Sequence, residues 1–229
     1  MGRELYCLNC GASALKKLPN NAPVGDFVCP SCDDEYELKA KSGKLSERVP
    51  DGAYQTMLER LAALNNPNLI VLSYDKTRKE VTNLAVAPKF FFVPAMIEAR
   101  PPLAPTARRA GWIGCNINLK NVPEAGRIFV VKNGALVSKE LVLERWNQTR
   151  FLRRGGVEAR GWLLEVLRCV EQFGSAEFTL AEMYAFEDRL SRTYPENQHV
   201  REKIRQQLQV LRDHGLVDFL GRGLYRRSR

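Results

Sequence analysis

Apolar residues recur along this chain in two different rhythms, and the change from one to the other divides it. Up to about residue 150 the pattern is mostly that of strands. Leu69-Ile70-Val71-Leu72-Ser73-Tyr74 is a β-branched and apolar run that predicts a buried strand. Glu80 to Phe92 continues in strand character, interrupted by Pro88. Ile128-Phe129-Val130-Val131, then Asn133-Gly134, then Ala135-Leu136-Val137 predicts two strands joined by a hairpin turn. One helix is expected here, from Asp51 to Leu61, closed by Asn65-Asn66-Pro67. Beyond residue 150 the period becomes helical. Trp162, Leu163, Val166, Leu167 and Val170 make one stripe. Thr179 and Glu182 then read as a capping box, opening a helix with Met183, Tyr184, Phe186 and Leu190 that Tyr194-Pro195 stops. A third helix, Asn197 to His214, buries Val200, Ile204, Leu208 and Leu211 and ends at Gly215, which suits a left-handed residue. Two short strands follow, 216–220 and 221–226, around a glycine turn. Three helices and a β-hairpin are the order of a winged helix.

Arg153-Arg154-Gly155-Gly156 reads as a flexible, charged linker. The expected division is an α/β domain over residues 1–152 and a winged-helix domain over 153–229. At 229 residues there is enough chain for two separate cores.

Four of the six cysteines form two pairs, Cys7-x-x-Cys10 and Cys29-x-x-Cys32. That spacing is the signature of a four-thiolate zinc ribbon, a closed and therefore structural site. Cys115 and Cys169 are expected as small buried apolar residues. The formal net charge is +9, from 35 basic and 26 acidic residues, which favours a polyanionic partner, nucleic acid first. No apolar run is long enough to span a membrane, and Met1-Gly2-Arg3-Glu4-Leu5 lacks a secretory core, so the expected compartment is the cytoplasm.

Threaded through the second cysteine pair is Pro23-Val24-Gly25-Asp26, followed by Glu37-Leu38-Lys39. This reads P-x-x-D…E-x-K, the usual magnesium site of a nuclease. In a strand, Glu37 and Lys39 share a face, and a preceding strand brings Asp26 near Glu35 or Glu37. Asp26 and Glu37, with the Leu38 carbonyl, offer Mg²⁺ the hard oxygens it prefers, and Lys39 would position or help deprotonate an attacking water. Asp34 and Glu35 are spare carboxylates of lower rank. A solvated acidic strand would carry the same residues.

Three further groups fit DNA. Arg108, Arg109 and Trp112 combine guanidinium forks with an aromatic able to sense a base. In the third helix Arg201, Lys203, Arg205 and Gln206 lie off the apolar stripe, with the chemistry that reads base edges. Arg222, Arg226, Arg227 and Arg229 would track the phosphate backbone as a wing. His199 and His214 suit helix-surface or capping roles.

With these residues in view, the chain resembles the DpnI family of methyl-directed restriction endonucleases. The likeness is carried by PVGDFVCPSCDDEYELKAKSG, DGAY, NNPN, RPPLAPTARRAGWIGCNI, FTLAEMY, REKIRQQLQVLRD and GRGLYR. It implies a PD-(D/E)XK nuclease domain with an embedded four-cysteine zinc ribbon, followed by a winged helix. It implies cleavage of double-stranded GATC whose adenine is N6-methylated, with both domains contributing to methyl recognition. Separately, a monomer in solution is expected. By the same resemblance Asp26, Glu37 and Lys39 match the catalytic residues, and Cys7, Cys10, Cys29 and Cys32 match the zinc ligands. Trp112 falls where methyl-adenine contact is expected. The family also implies a segment ahead of the first cysteine, backing the nuclease sheet; this chain starts almost at that cysteine. A DNA-binding regulator that does not cut is the alternative the same residues allow.

Overall fold

The computed structural model describes residues 5–19, 25–45, 47–63 and 66–228. Met1 to Glu4, Pro23 and Val24 of the P-x-x-D segment, Asn65 and Arg229 lie outside the described residues. In chain order the first part carries β1 (Lys16–Lys17), β2 (Phe27–Val28), β3 (Glu35–Ser42), β4 (Arg48–Ala53), α1 (Tyr54–Ala63) and β5 (Asn68–Asp75). It continues with β6 (Glu80–Ala87), β7 (Ile97–Ala99), β8 (Gly114–Asn118), β9 (Ile128–Lys132), β10 (Ala135–Leu136) and α2 (Lys139–Thr149).

Among the described residues, seven strands form one sheet in the order β1-β2-β3-β5-β6-β9-β10, and β4-β8-β7 form a second. In the large sheet β3 runs parallel to β5, joined to it through β4 and α1; the other neighbour pairs are antiparallel. Alternation sorts the side chains of β3. Tyr36 is fully buried and Leu38 packs against the same apolar cluster, which holds Cys7, Leu8, Phe27, Ile70, Leu72, Val86, Val130 and, from α2, Val142 and Trp146. Glu37 and Lys39 therefore point to the opposite face. Asn133 and Gly134 both have positive φ, 52° and 80°, the backbone that a two-residue turn between β9 and β10 needs.

The second part carries α3 (Val157–Glu171), β11 (Glu177–Thr179), α4 (Leu180–Tyr184), α5 (Glu187–Thr193), α6 (Val200–Asp213), β12 (Val217–Gly221) and β13 (Leu224–Arg227). Its sheet order is β11-β13-β12. Thr179 caps α4 through the reciprocal Glu182 bonds of a capping box. At the end of α6, Gly215 has φ +69°, and Leu216 N–H reaches the Leu211 carbonyl at 2.9 Å, a Schellman closure. The two parts are separate compact units, 1–152 and 153–229. Among the described residues no helix is long and apolar enough to cross a membrane.

Several local readings need correction. Asp51 to Ala53 is the end of β4, paired to β8 across an irregularity, and the helix begins only at Tyr54. After Pro88 the chain makes a 3-10 turn over Lys89–Phe91 instead of a strand, burying Phe90 and Phe91. The expected second helix is two, because Phe186 leaves the helical register and packs its ring edge-on against Phe173 at 5.6 Å. Arg150–Arg154 is a 3-10 turn, and Gly156 already caps α3, so little linker stands between them.

Candidate active site and thiolate centre

The antiparallel register of β2 with β3 pairs Phe27 with Tyr36 and Val28 with Glu35. Asp26 directly precedes β2, next to the Phe27–Tyr36 pair, and its bonds run to the β3 backbone on either side of Glu37. The Asp26 amide donates to the Tyr36 carbonyl at 2.8 Å, and its Oδ2 accepts the Leu38 amide at 2.7 Å. Within a strand, N–H and C=O of one residue point to the same side, so the Leu38 carbonyl opens on the Asp26 side. Lys39 Nζ lies 2.6 Å from Glu37 Oε1 and 3.2 Å from Asp51 Oδ1. Burial works to lower the Lys39 pKa, yet the hydrogen bond and charge of Glu37 and the charge of Asp51 outweigh it, so the group titrates above its ordinary value. It is an ammonium with donors to offer. Asp34 is excluded from this group: it is buried and paired with Lys89 at 2.9 Å.

Asp51 is the residue that sequence reasoning missed. The run Asp51-Gly52-Ala53-Tyr54 reads as a helix start, whereas Asp51 sits on β4 of the second sheet with its side chain 11% exposed. The signal was an acidic residue beside a glycine, which gives no hint of a partner twelve positions upstream.

Cys7, Cys10, Cys29 and Cys32 converge, with all four Sγ atoms within 4.8 Å of one another. Sγ pairs stand at 3.6 Å (Cys7 and Cys32) and 3.5 Å (Cys10 and Cys29). Four thiolates at about 2.3 Å from a tetrahedral zinc stand roughly 3.8 Å apart, so the cluster fits a metal of that kind. The surroundings are donors to sulfur: the Tyr36 hydroxyl 3.3 Å from Cys7, the Asn9 amide 3.4 Å from Cys32, and the Ser31 N–H 3.4 Å from Cys29. Burial pushes the Cys7 thiol well above its usual range, partly offset by the Tyr36 hydroxyl. The four thiols are free, and so are the buried Cys115 and Cys169.

Trp112 lies at the end of an ordered loop between β7 and β8, closed by Leu103 N–H to the Trp112 carbonyl and Gly111 N–H to the Leu103 carbonyl, both 3.0 Å. The Arg109 guanidinium stacks over the indole at 4.8 Å. On its strand side the ring lies so close to Gly114 that a Cβ there would be 2.8 Å from two ring carbons. Arg108 and Arg109 are exposed. A Gly114→Ala substitution is therefore expected to displace the indole and with it the Arg109 stack. Trp quenching by added nucleotide or DNA should change in Gly114→Ala, and an unaltered signal would show the ring is not held by that contact.

In the second unit the predicted DNA-facing residues are mostly engaged with neighbours. Arg201 pairs with Glu187 at 2.7 Å, Arg205 with Glu202 at 2.9 Å and the Tyr184 hydroxyl at 2.6 Å, and Arg226 with Glu177 at 2.7 Å. These are exposed pairs that phosphate could displace at little cost. Gln206 is exposed, Lys203 half-buried, and Arg222 sits at the wing turn with φ 50°.

The comparison with known families now decides the lineage. The profile of the DpnI, Dam-replacing family matches residues 1–155, and that of the DpnI_C Dam-replacing HTH domain matches residues 158–227. The chain belongs to the DpnI family. Membership makes it a mixed α/β protein of the restriction-nuclease kind with a C-terminal DNA-binding helix-turn-helix domain. In this DpnI-family chain the thiol cluster and the Asp26, Glu37, Lys39 and Asp51 group both fall inside the first match.

Proposed function

We propose that this protein is a PD-(D/E)XK restriction endonuclease that hydrolyses phosphodiesters in duplex GATC carrying N6-methyladenine. What supports the reading is the 2.6 Å contact of Glu37 with Lys39 on β3, with Asp26 Oδ2 accepting the amide of the intervening Leu38 at 2.7 Å, inside a chain of the DpnI family. Asp26, Glu37 and the Leu38 carbonyl would hold Mg²⁺, and Cys7, Cys10, Cys29 and Cys32 would hold a structural Zn²⁺. Held by the carboxylates, the Mg²⁺ ion would supply Lewis-acid chemistry to the scissile phosphate and to water. Lys39 keeps its ammonium directed at the reacting phosphate, where it orients water and offsets growing negative charge. Arg108, Arg109 and Trp112 approach the bases, with the indole reading the adenine methyl group. The second unit adds recognition through Arg201, Lys203, Arg205 and Gln206 of α6, and phosphate contacts through Arg222 and Arg226 of the wing. The division into residues 1–152 and 153–229 separates cutting from the second reading of the site. The enzyme would work as a monomer in the cytoplasm.

Methylated and unmethylated plasmid, each with Mg²⁺ or with a chelator, tests this directly. Fragments from methylated DNA with Mg²⁺ alone are the expected result. A mobility shift of both plasmids without fragments under any condition would overturn it. Trp112→Ala should weaken binding to methylated GATC by about tenfold or more, the scale of one lost base contact, and leave binding to unrelated DNA unchanged. Equal loss on both would rule out base sensing by this residue.

A further inference from the structure

We propose that Asp51 is a positioning residue for Lys39 in the cleavage reaction, holding the ammonium from a second sheet while Glu37 serves the metal. This rests on reading Asp26, Glu37 and Lys39 as the cleavage centre.

Glu37 and Lys39 are two positions apart on β3 and share a face, and their contact is 2.6 Å. That contact fixes Lys39 only along its own strand. It also places the ammonium against the same carboxylate that a divalent cation would draw on, and the two positive charges repel. A lysine held by Glu37 alone would be expelled as Glu37 turned toward the cation.

Asp51 removes that conflict. It belongs to β4, which pairs with β8 and not with β3, so its hold on Lys39 at 3.2 Å is independent of β3. The Asp51 carboxylate is itself fixed, since its Oδ1 accepts the Gly52 amide at 2.9 Å. The pairing of β4 with β8 shifts register between Asp51 and Ala53. Such an irregularity is a common means of re-aiming a side chain. An ammonium has three donors. With Glu37 and Asp51 taking two, one remains for a phosphate oxygen or a water. Two carboxylates against one ammonium leave one formal negative charge at this contact, so Glu37 can turn to a cation while Asp51 still balances Lys39.

A purely structural role explains these facts less well. The ion pair is partly exposed on the Lys39 side, where such pairs add little to stability, and β4 is already held by its ladder to β8.

The test is single-turnover cleavage of a methylated GATC duplex over a range of Mg²⁺ concentrations up to saturation with full-length wild type, Asp51→Ala, Asp51→Glu, Lys39→Ala and the Lys39→Ala, Asp51→Ala double variant. Thermal melting and zinc content monitor folding. Asp51→Ala should lose about 10²-fold in rate, a typical effect of a misplaced reacting group, with its KM for DNA within about threefold, and Asp51→Glu should recover part of the loss. The double variant should be no slower than Lys39→Ala, because a residue acting through Lys39 has nothing left to position. A wild-type rate in Asp51→Ala, full recovery of that variant on raising Mg²⁺, or an additional loss in the Lys39→Ala background would each overturn the proposal. If Lys39→Ala cleaves normally, the cleavage centre itself is wrong; a dead Lys39→Ala beside a normal Asp51→Ala removes Asp51 alone.

Discussion

Lys39→Ala is expected to reduce cleavage of methylated GATC DNA by about 10²- to 10⁴-fold, the range for loss of a positioned group acting at the reacting centre. Asp26→Ala should be at least as damaging, because it takes away one of the two carboxylates proposed to hold the cation, the one anchored on the Leu38 amide beside Glu37. Neither change should unfold the protein. Lys39 contributes a partly exposed ion pair, and Asp26 mainly one hydrogen bond to the Leu38 amide. DNA binding measured with Ca²⁺ in place of Mg²⁺ should therefore survive in both variants. Loss of binding together with cleavage would mean that the substitution had damaged the fold and said nothing about chemistry. Full activity in either would remove that residue from the centre.

The second large effect concerns the thiols. Replacing Cys29 by Ser should release the metal and destabilise the first unit by several kcal/mol, since metal binding at such sites is folding free energy. Cys7 and Cys29 are fully buried within the same apolar cluster as Phe27, Tyr36 and Trp146. The hairpin that carries Asp26 therefore depends on the cluster for its position. At about 2–4 °C per kcal/mol for a domain of this size, the melting temperature should fall by roughly 10 °C or more. Elemental analysis should give one zinc per chain in the wild type and none in Cys29→Ser, while Cys115→Ser, outside the cluster, keeps its zinc. Zinc retained in full by Cys29→Ser, with an unchanged melting point, would contradict the assignment.

These expectations could be framed from the sequence because the relevant signals were local. The two cysteine pairs have a fixed spacing, Glu37 and Lys39 share a strand face by alternation, and Thr179 with Glu182 forms its cap within four residues. What escaped was set by tertiary contacts. Asp51 meets Lys39 only because β4 leaves the large sheet and pairs with β8, which no local pattern announces. Tyr36 reads as one residue of an acidic stretch, yet it is fully buried and its hydroxyl reaches Cys7. Phe90 to Phe92 has the look of strand because a buried 3-10 turn and a buried strand have the same composition. The second helix breaks at Phe186 for the sake of a ring contact with Phe173, against a helical period that runs through it. Gly114 gives no signal as a packing partner for Trp112, since the requirement for a missing Cβ appears only when the indole is in place.

In the proposed centre, one divalent cation would be held by Asp26 and Glu37, apart from the thiols. The most direct measurement is anomalous scattering from crystals of the protein with methylated GATC duplex and Mn²⁺ in place of Mg²⁺. Two distinct sites are predicted: a manganese peak ligated by Asp26 and Glu37 next to the scissile phosphate, and a zinc peak enclosed by the four cysteines. A manganese peak away from those carboxylates, or none near the phosphate, would remove Asp26 and Glu37 as metal ligands.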